Sequence, residues 1–196
     1  MNESLRMVLV LTIIAVVSGG SLGLIDNVTR PLIETNKGLA LQNTLKDLIP
    51  EAAEFREIED ADWPVPARVF LGLDGENKIG WGFLLSGPGF VDAITLVVAA
   101  DFDLTRLLGI GILEQKETPG LGAEMVKPFF LERFPGLSLE KEISLVKNVA
   151  GNREQNEIQA ISAATISSDA VLKIINQNLP RLREAPAIQT LLEGAQ

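Results

Sequence analysis

From Met7 to Ile25 the chain runs MVLVLTIIAVVSGGSLGLI, 19 residues without one charged side chain. A backbone in hydrocarbon must satisfy its own polar groups, so such a run resolves to a helix, and at about 1.5 Å per residue it reaches about 28 Å, close to the roughly 30 Å of a bilayer core. The run predicts a membrane anchor over residues 1–30. Ser18, Gly19, Gly20, Ser21 and Gly23 make its second half small-faced, which suits close packing against other membrane helices and is also common in spans generally. A cleaved signal peptide is the competing reading, because small residues follow Val17. The apolar run resumes at Leu22, Leu24 and Ile25, and only Arg6, offset by Glu3, precedes it, which favours a retained span. Arg6 before the span and Arg30 and Lys37 after it leave orientation undecided by the positive-inside rule.

Residues 31–66 read as a neck and linker. Asp26 to Pro50 is helical by pattern, with Pro31 suited to a first turn and Leu41, Leu45, Leu48 and Ile49 at helical spacing, whereas Glu51 to Pro66 is charged and Pro-containing. Strand signals start at Ala67. A hairpin turns at Asp74-Gly75 and continues to Leu85; a second pair, Ala93 to Ala100 and Leu107 to Leu113, is joined across Asp101, Phe102 and Asp103. Lys127 to Phe134 predicts a short helix with Pro128 in its first turn, ended by Pro135-Gly136. Ser167 or Ser168 can cap a further helix whose apolar side is Val171, Leu172, Ile175 and Leu179. The pattern predicts an α+β domain with a mainly antiparallel sheet over residues 67–185 and a tail over 186–196.

Composition removes several chemistries. The chain has no Cys, His or Tyr, so it offers no thiolate or imidazole for iron–sulfur, haem or zinc sites and no imidazole base. No metal site is predicted. Only Trp63, Trp81 and the Met side chains could themselves pass electrons, so redox chemistry here requires an organic cofactor. A formal net charge of -9 repels phosphate backbones, and the absence of any Lys/Arg-rich run excludes nucleic acid as a partner.

Two segments stand out. Glu117-Thr118-Pro119-Gly120-Leu121-Gly122 follows directly on a strand, and two Gly and a Pro in six residues make a rigid loop that can approach a flat ligand closely, although an ordinary turn uses the same residues. Ser162-Ala163-Ala164-Thr165-Ile166-Ser167-Ser168 is small, hydroxyl-rich and opens onto a helix. It offers a hydroxyl and free N–H groups where a helix dipole favours a phosphate, and a Ser-rich helix cap fits the same residues.

An anchor, the ETPGLG loop and a late Ser-x-Ala-Thr-x-Ser helix start, in that order, resemble the G subunit of the Rnf ion-translocating electron-transport complex and its relative, the C subunit of the sodium-pumping quinone reductase. The resemblance spans the Leu5 region to about Leu179. It implies an FMN-binding domain in which FMN is held covalently by a phosphoester to Thr165, with Ser162, Ala163, Ala164, Ile166 and Ser167 around the attachment. The ring is then expected against the Thr118 to Gly122 loop, with Glu117 also among the cofactor-binding residues and Phe129 or Phe130 covering an edge or serving as core aromatics. Ala163 stands where the family usually has Gly, Gln159 where it usually has Asp, and Phe90 where it usually has a small residue after Gly87-Pro88-Gly89. An Ala at 163 adds a methyl and opposes a positive φ angle.

The resemblance further implies a redox subunit, not catalytic alone, in an inner-membrane ferredoxin:NAD oxidoreductase coupled to ion movement. Its partners are the other subunits, membrane lipid and, during maturation, a flavin transferase that moves FMN from FAD to the Thr. The flavin domain is expected on the extracytoplasmic side of a single-pass anchor. A structural subunit with a degenerate flavin site remains the alternative, motivated by Ala163 and Gln159.

Overall fold

The computed structural model describes residues 2–59 and 62–194; Met1 of the anchor, positions 60 and 61 of the linker, and the last two residues of the tail lie outside the described residues. The chain divides into two units, one up to Ala40 and one over Leu41–Gln196. From Glu3 onward the first unit is helix, part of α1 (Glu3–Leu48). Its apolar window has a mean hydropathy of 2.4 with none of it buried, and it is the one described helix long and apolar enough to cross a membrane.

Pro31 lies inside α1 rather than in a first turn. A mid-helix Pro lacks the N–H for one backbone bond and costs about 3 kcal/mol. Helical contacts continue on both sides of it: Arg30 pairs with Asp26 one turn earlier at 2.8 Å, and Thr35 Oγ1 donates to the Pro31 carbonyl at 2.9 Å.

The second unit is built on an antiparallel meander, β1 (Glu54–Ile58), β2 (Ala67–Asp74), β3 (Asn77–Pro88), β4 (Ala93–Asp101) and β5 (Leu107–Glu114), lying in that order. β1 occupies the segment expected to be linker. It pairs Glu54 to Leu73 and Ile58 to Val69, and its Glu57 carboxylate, held below its usual pKa by hydrogen bonding to Arg68, meets that guanidinium on β2 at 2.7 Å.

Strand alternation sorts the sheet into two unlike faces. On one face Val69, Leu71, Trp81, Phe83, Leu85, Leu96 and Val98 are buried beneath α3 (Thr165–Arg183), whose Val171, Ile175 and Leu179 complete the main core. Trp81 stacks on Phe102 with ring centroids 5.9 Å apart and donates its indole N–H to the Phe102 carbonyl. The other face carries Gly82, Gly109 and Gly111, and the last turns of α1 lie in the trough they leave. Leu41 and Leu45 pack there with Phe70 and Val97. A Cβ on Gly109 would stand 2.8 Å from Leu48 Cδ2, one on Gly82 would collide with Leu45, and one on Gly111 with Thr44.

The remaining elements are shorter. α2 (Pro128–Leu131) is narrower than the predicted helix, and a parallel pair, β6 (Ser144–Val146) with β7 (Glu157–Gln159), adds two strands that the sequence pattern does not announce. Buried Asn156, at φ 60, ties that pair to the preceding loop by donating to the Ser138, Lys141 and Glu142 carbonyls. The segment expected to be a tail contains α4 (Pro186–Glu193), with Ile188 in the core.

Candidate functional site

At the end of the sheet three chain segments converge on a groove of about 280 Å³. β3 and β4 are joined through Gly89-Phe90-Val91-Asp92; β5 runs out into Gln115 to Leu121; and α3 starts at Thr165. Glu117, Thr118, Leu121 and Gly122 line the groove from the second segment, and Ala163, Ala164, Thr165, Ile166 and Ser167 from the third. Pro119, Gly120 and Ser162 are exposed and do not line it. Gly120 takes φ 77 at the tip of a turn in which Leu121 and Ala123 both donate to the Thr118 carbonyl.

Glu117 holds the groove together. The residue is 5 % exposed; its Oε1 accepts from the Phe90 and Val91 amides at 2.7 and 3.1 Å, and its Oε2 accepts from Ser167 Oγ at 2.7 Å. Gly122 is a packing position: a Cβ there would collide with Ser167 Oγ and stand 2.7 Å from Glu117 Oε2. Outside the groove Lys116 and Asp92 make a parallel tie at 2.7 Å, and the Lys116 ammonium, with the Ala93 amide, holds the Asp92 carboxyl below its usual pKa.

The helix start differs from the predicted cap. Ala164 occupies the cap position without a side-chain bond, and Ser167 and Ser168 sit inside the first turn. The cause is competition for their hydroxyls. Ser167 is committed to Glu117, while Ser168 Oγ donates to the Ala164 carbonyl and accepts from the Ile161 amide, both at 3.0 Å. Among the described residues Thr165, half-buried and lining the groove, has a hydroxyl with no hydrogen-bond partner. The N–H groups of this first turn lack partners within the helix, which makes the spot favourable to an anion.

Ala163 adopts φ 60 in the turn closed by the Ala164 amide on the Ile161 carbonyl at 3.0 Å. The methyl therefore does not forbid the left-handed conformation; the turn imposes it at about 1–2 kcal/mol.

An apolar rim surrounds the hydroxyl: Phe90 is 62 % exposed, Ile166 61 % and Leu121 40 %. Phe90 belongs to the site although neither sequence motif contains it, and its one signal is the Gly-Pro-Gly run just before it. Neither Phe129 nor Phe130 covers the groove. Phe130 is fully buried against Phe134, with ring centroids 5.3 Å apart, and Phe129 lies by the Arg133 guanidinium at a separate cleft. A larger cleft of about 520 Å³ lies between Leu139–Ile143 and the second half of α3, away from both motifs. The smaller groove is the candidate site because a free hydroxyl, a helix N-terminus and exposed apolar surface meet there, which suits a flat, phosphorylated ring.

This arrangement is that of a flavin-binding domain joined to an apolar helix, and residues 89–179 match the FMN-binding domain family. The chain is 31 % identical to the G subunit of the ion-translocating oxidoreductase complex of Cereibacter sphaeroides, covering 87 % of this chain and 80 % of that one. It is 28 % identical to the G subunit of the Na(+)-translocating ferredoxin:NAD(+) oxidoreductase complex of Acetobacterium woodii, covering 87 % of each. The chain belongs to the family of G subunits of the ion-translocating, Rnf-type oxidoreductase complexes. In fold it is similar to the crystal structure of NqrC from Shewanella oneidensis, with a TM-score of 0.58 over 74 % of this chain and 70 % of that one at 21 % identity.

Proposed function

We propose that this chain is the electron-relay subunit of an Rnf-type ferredoxin:NAD oxidoreductase, carrying FMN as a phosphoester on Thr165. The observation that carries the reading is the groove itself: of the four hydroxyl side chains between Ser162 and Ser168, Thr165 alone both lines it and is uncommitted. The first turn of α3 can bind phosphate charge, and Phe90, Leu121 and Ile166 give the ring an apolar surface that is otherwise in water. Bound FMN would supply the electron storage that the side chains lack. In maturation Thr165 Oγ1 would gain a bond to the FMN phosphorus as the pyrophosphate bond of FAD breaks, with AMP leaving and the hydroxyl giving up its proton. The groove needs no base of its own, because an external transferase provides the activation.

Intact mass of the native protein tests this. The expected value is the polypeptide plus FMN less one water. A bare polypeptide from cells with an active transferase would leave the structural-subunit reading instead.

The family resemblance also supports a groove facing the extracytoplasmic side, with residues 7–25 retained as a single anchor among the other subunits. Protease added to spheroplasts is expected to degrade the domain. Digestion only after lysis would reverse that topology.

A further inference from the structure

We propose that Glu117 is the positioning residue of the flavin site: its buried carboxylate locks the three walls of the groove together, and its negative charge lowers the reduction potential of the ring. This rests on the reading of the groove as the flavin site.

The geometry is that of a socket built for a carboxylate. Oε1 takes two backbone N–H groups from the Phe90–Val91 turn and Oε2 takes the Ser167 hydroxyl from α3, so one side chain joins segments 26, 27 and 50 residues away in sequence. Two glycines leave it room. A Cβ on Gly89 would stand 2.5 Å from Oε1, and one on Gly122 would stand 2.7 Å from Oε2. Three donors aimed at two oxygens satisfy the carboxylate within the protein. Its placement also fixes neighbours that matter: Phe90 is on the apolar rim, and Ser167 is two residues from Thr165 in the same helical turn.

The charge has a separate consequence. Among the described residues Glu117 is the only charged side chain lining the groove, and it is almost wholly shielded from water. A negative charge in such a place is weakly screened and opposes addition of an electron to a neighbouring ring.

Glu117→Gln separates the two roles, because the amide keeps an acceptor for the Phe90 and Val91 N–H groups and a donor that Ser167 can accept, while removing the charge. In the full-length protein, Glu117→Gln is expected to retain flavin and slow hydrogen exchange at the Phe90 and Val91 amides. Its midpoint potential should rise by about a tenfold change in the equilibrium constant, roughly 30 mV for a two-electron couple. Glu117→Ala should lose the amide protection and load several-fold less flavin. An unchanged potential in flavin-loaded Glu117→Gln, or wild-type protection and loading in Glu117→Ala, would overturn the proposal while leaving the flavin reading intact. Wild-type protein with no flavin would remove the redox role together with that reading.

Discussion

Thr165→Val is expected to abolish covalent flavin while leaving a folded, membrane-bound protein. Valine nearly matches threonine in shape, and the lost hydroxyl has no hydrogen-bond partner among the described residues, so its removal leaves no donor or acceptor stranded. A phosphoester needs an oxygen, and none of the serines beside Thr165 can substitute. Ser162 is exposed outside the groove, Ser167 donates to Glu117, and Ser168 is buried between Ile161 and Ala164. Thr165→Ser should retain part of the attachment. Ultraviolet fluorescence after denaturing electrophoresis reads the result directly, since only covalent flavin survives it. A fluorescent Val variant, or loss of fluorescence in Ser167→Ala with retention in Thr165→Val, would place the flavin on another residue.

Gly82→Val is expected to lower the melting temperature of the domain by roughly 6–12 °C, the result of about 3 kcal/mol of overpacking in a domain of this size. The new Cβ would collide with Leu45, a fully buried side chain, while Phe70 Cβ at 3.7 Å would be in ordinary van der Waals contact. Valine's better strand propensity, worth about 1 kcal/mol, is too small to reverse the sign. Trimming Leu45 should relieve the clash, so Gly82→Val with Leu45→Ala should be less destabilised than the two single losses added together. Simple additivity between them, measured by thermal unfolding monitored through Trp81, would show that α1 does not press on this face as described.

The difference between the two sheet faces explains what can be read from the sequence. The hairpin at Asp74-Gly75 and the pairing of residues 93–100 with 107–113 carry period-2 and turn signals, and the structure forms both. β1 reads as linker because its five residues are EFREI: only Phe55 and Ile58 are apolar, and the strand exists through its pairing with β2 rather than through its own pattern. Leu41, Leu45 and Leu48 announce an apolar helix side, but the glycines that receive it look like weak strand positions until the partner is known. Ser167 shows the same limit on the site. Its capping preference is local and visible, whereas the carboxylate that captures it comes from 50 residues away. Both motifs are legible because their residue types are unusual for plain turns. Phe90 joins them only through the meander, which brings the β3–β4 turn beside the other two segments.

The charged character of β1 bears on how this subunit keeps company in a crowded membrane. The sheet ends there, and an uncovered outer strand is a template on which a neighbour's backbone can lay down another ribbon. Glu54, Arg56 and Glu57 crowd that border with long ionic side chains, all exposed, and Arg68 extends them onto β2. An incoming strand would have to strip water from these ions to reach the backbone beneath. The border therefore discourages fibril-like stacking of copies held at high local concentration on one bilayer, and leaves lateral association to surfaces whose side chains can recognise a particular neighbour.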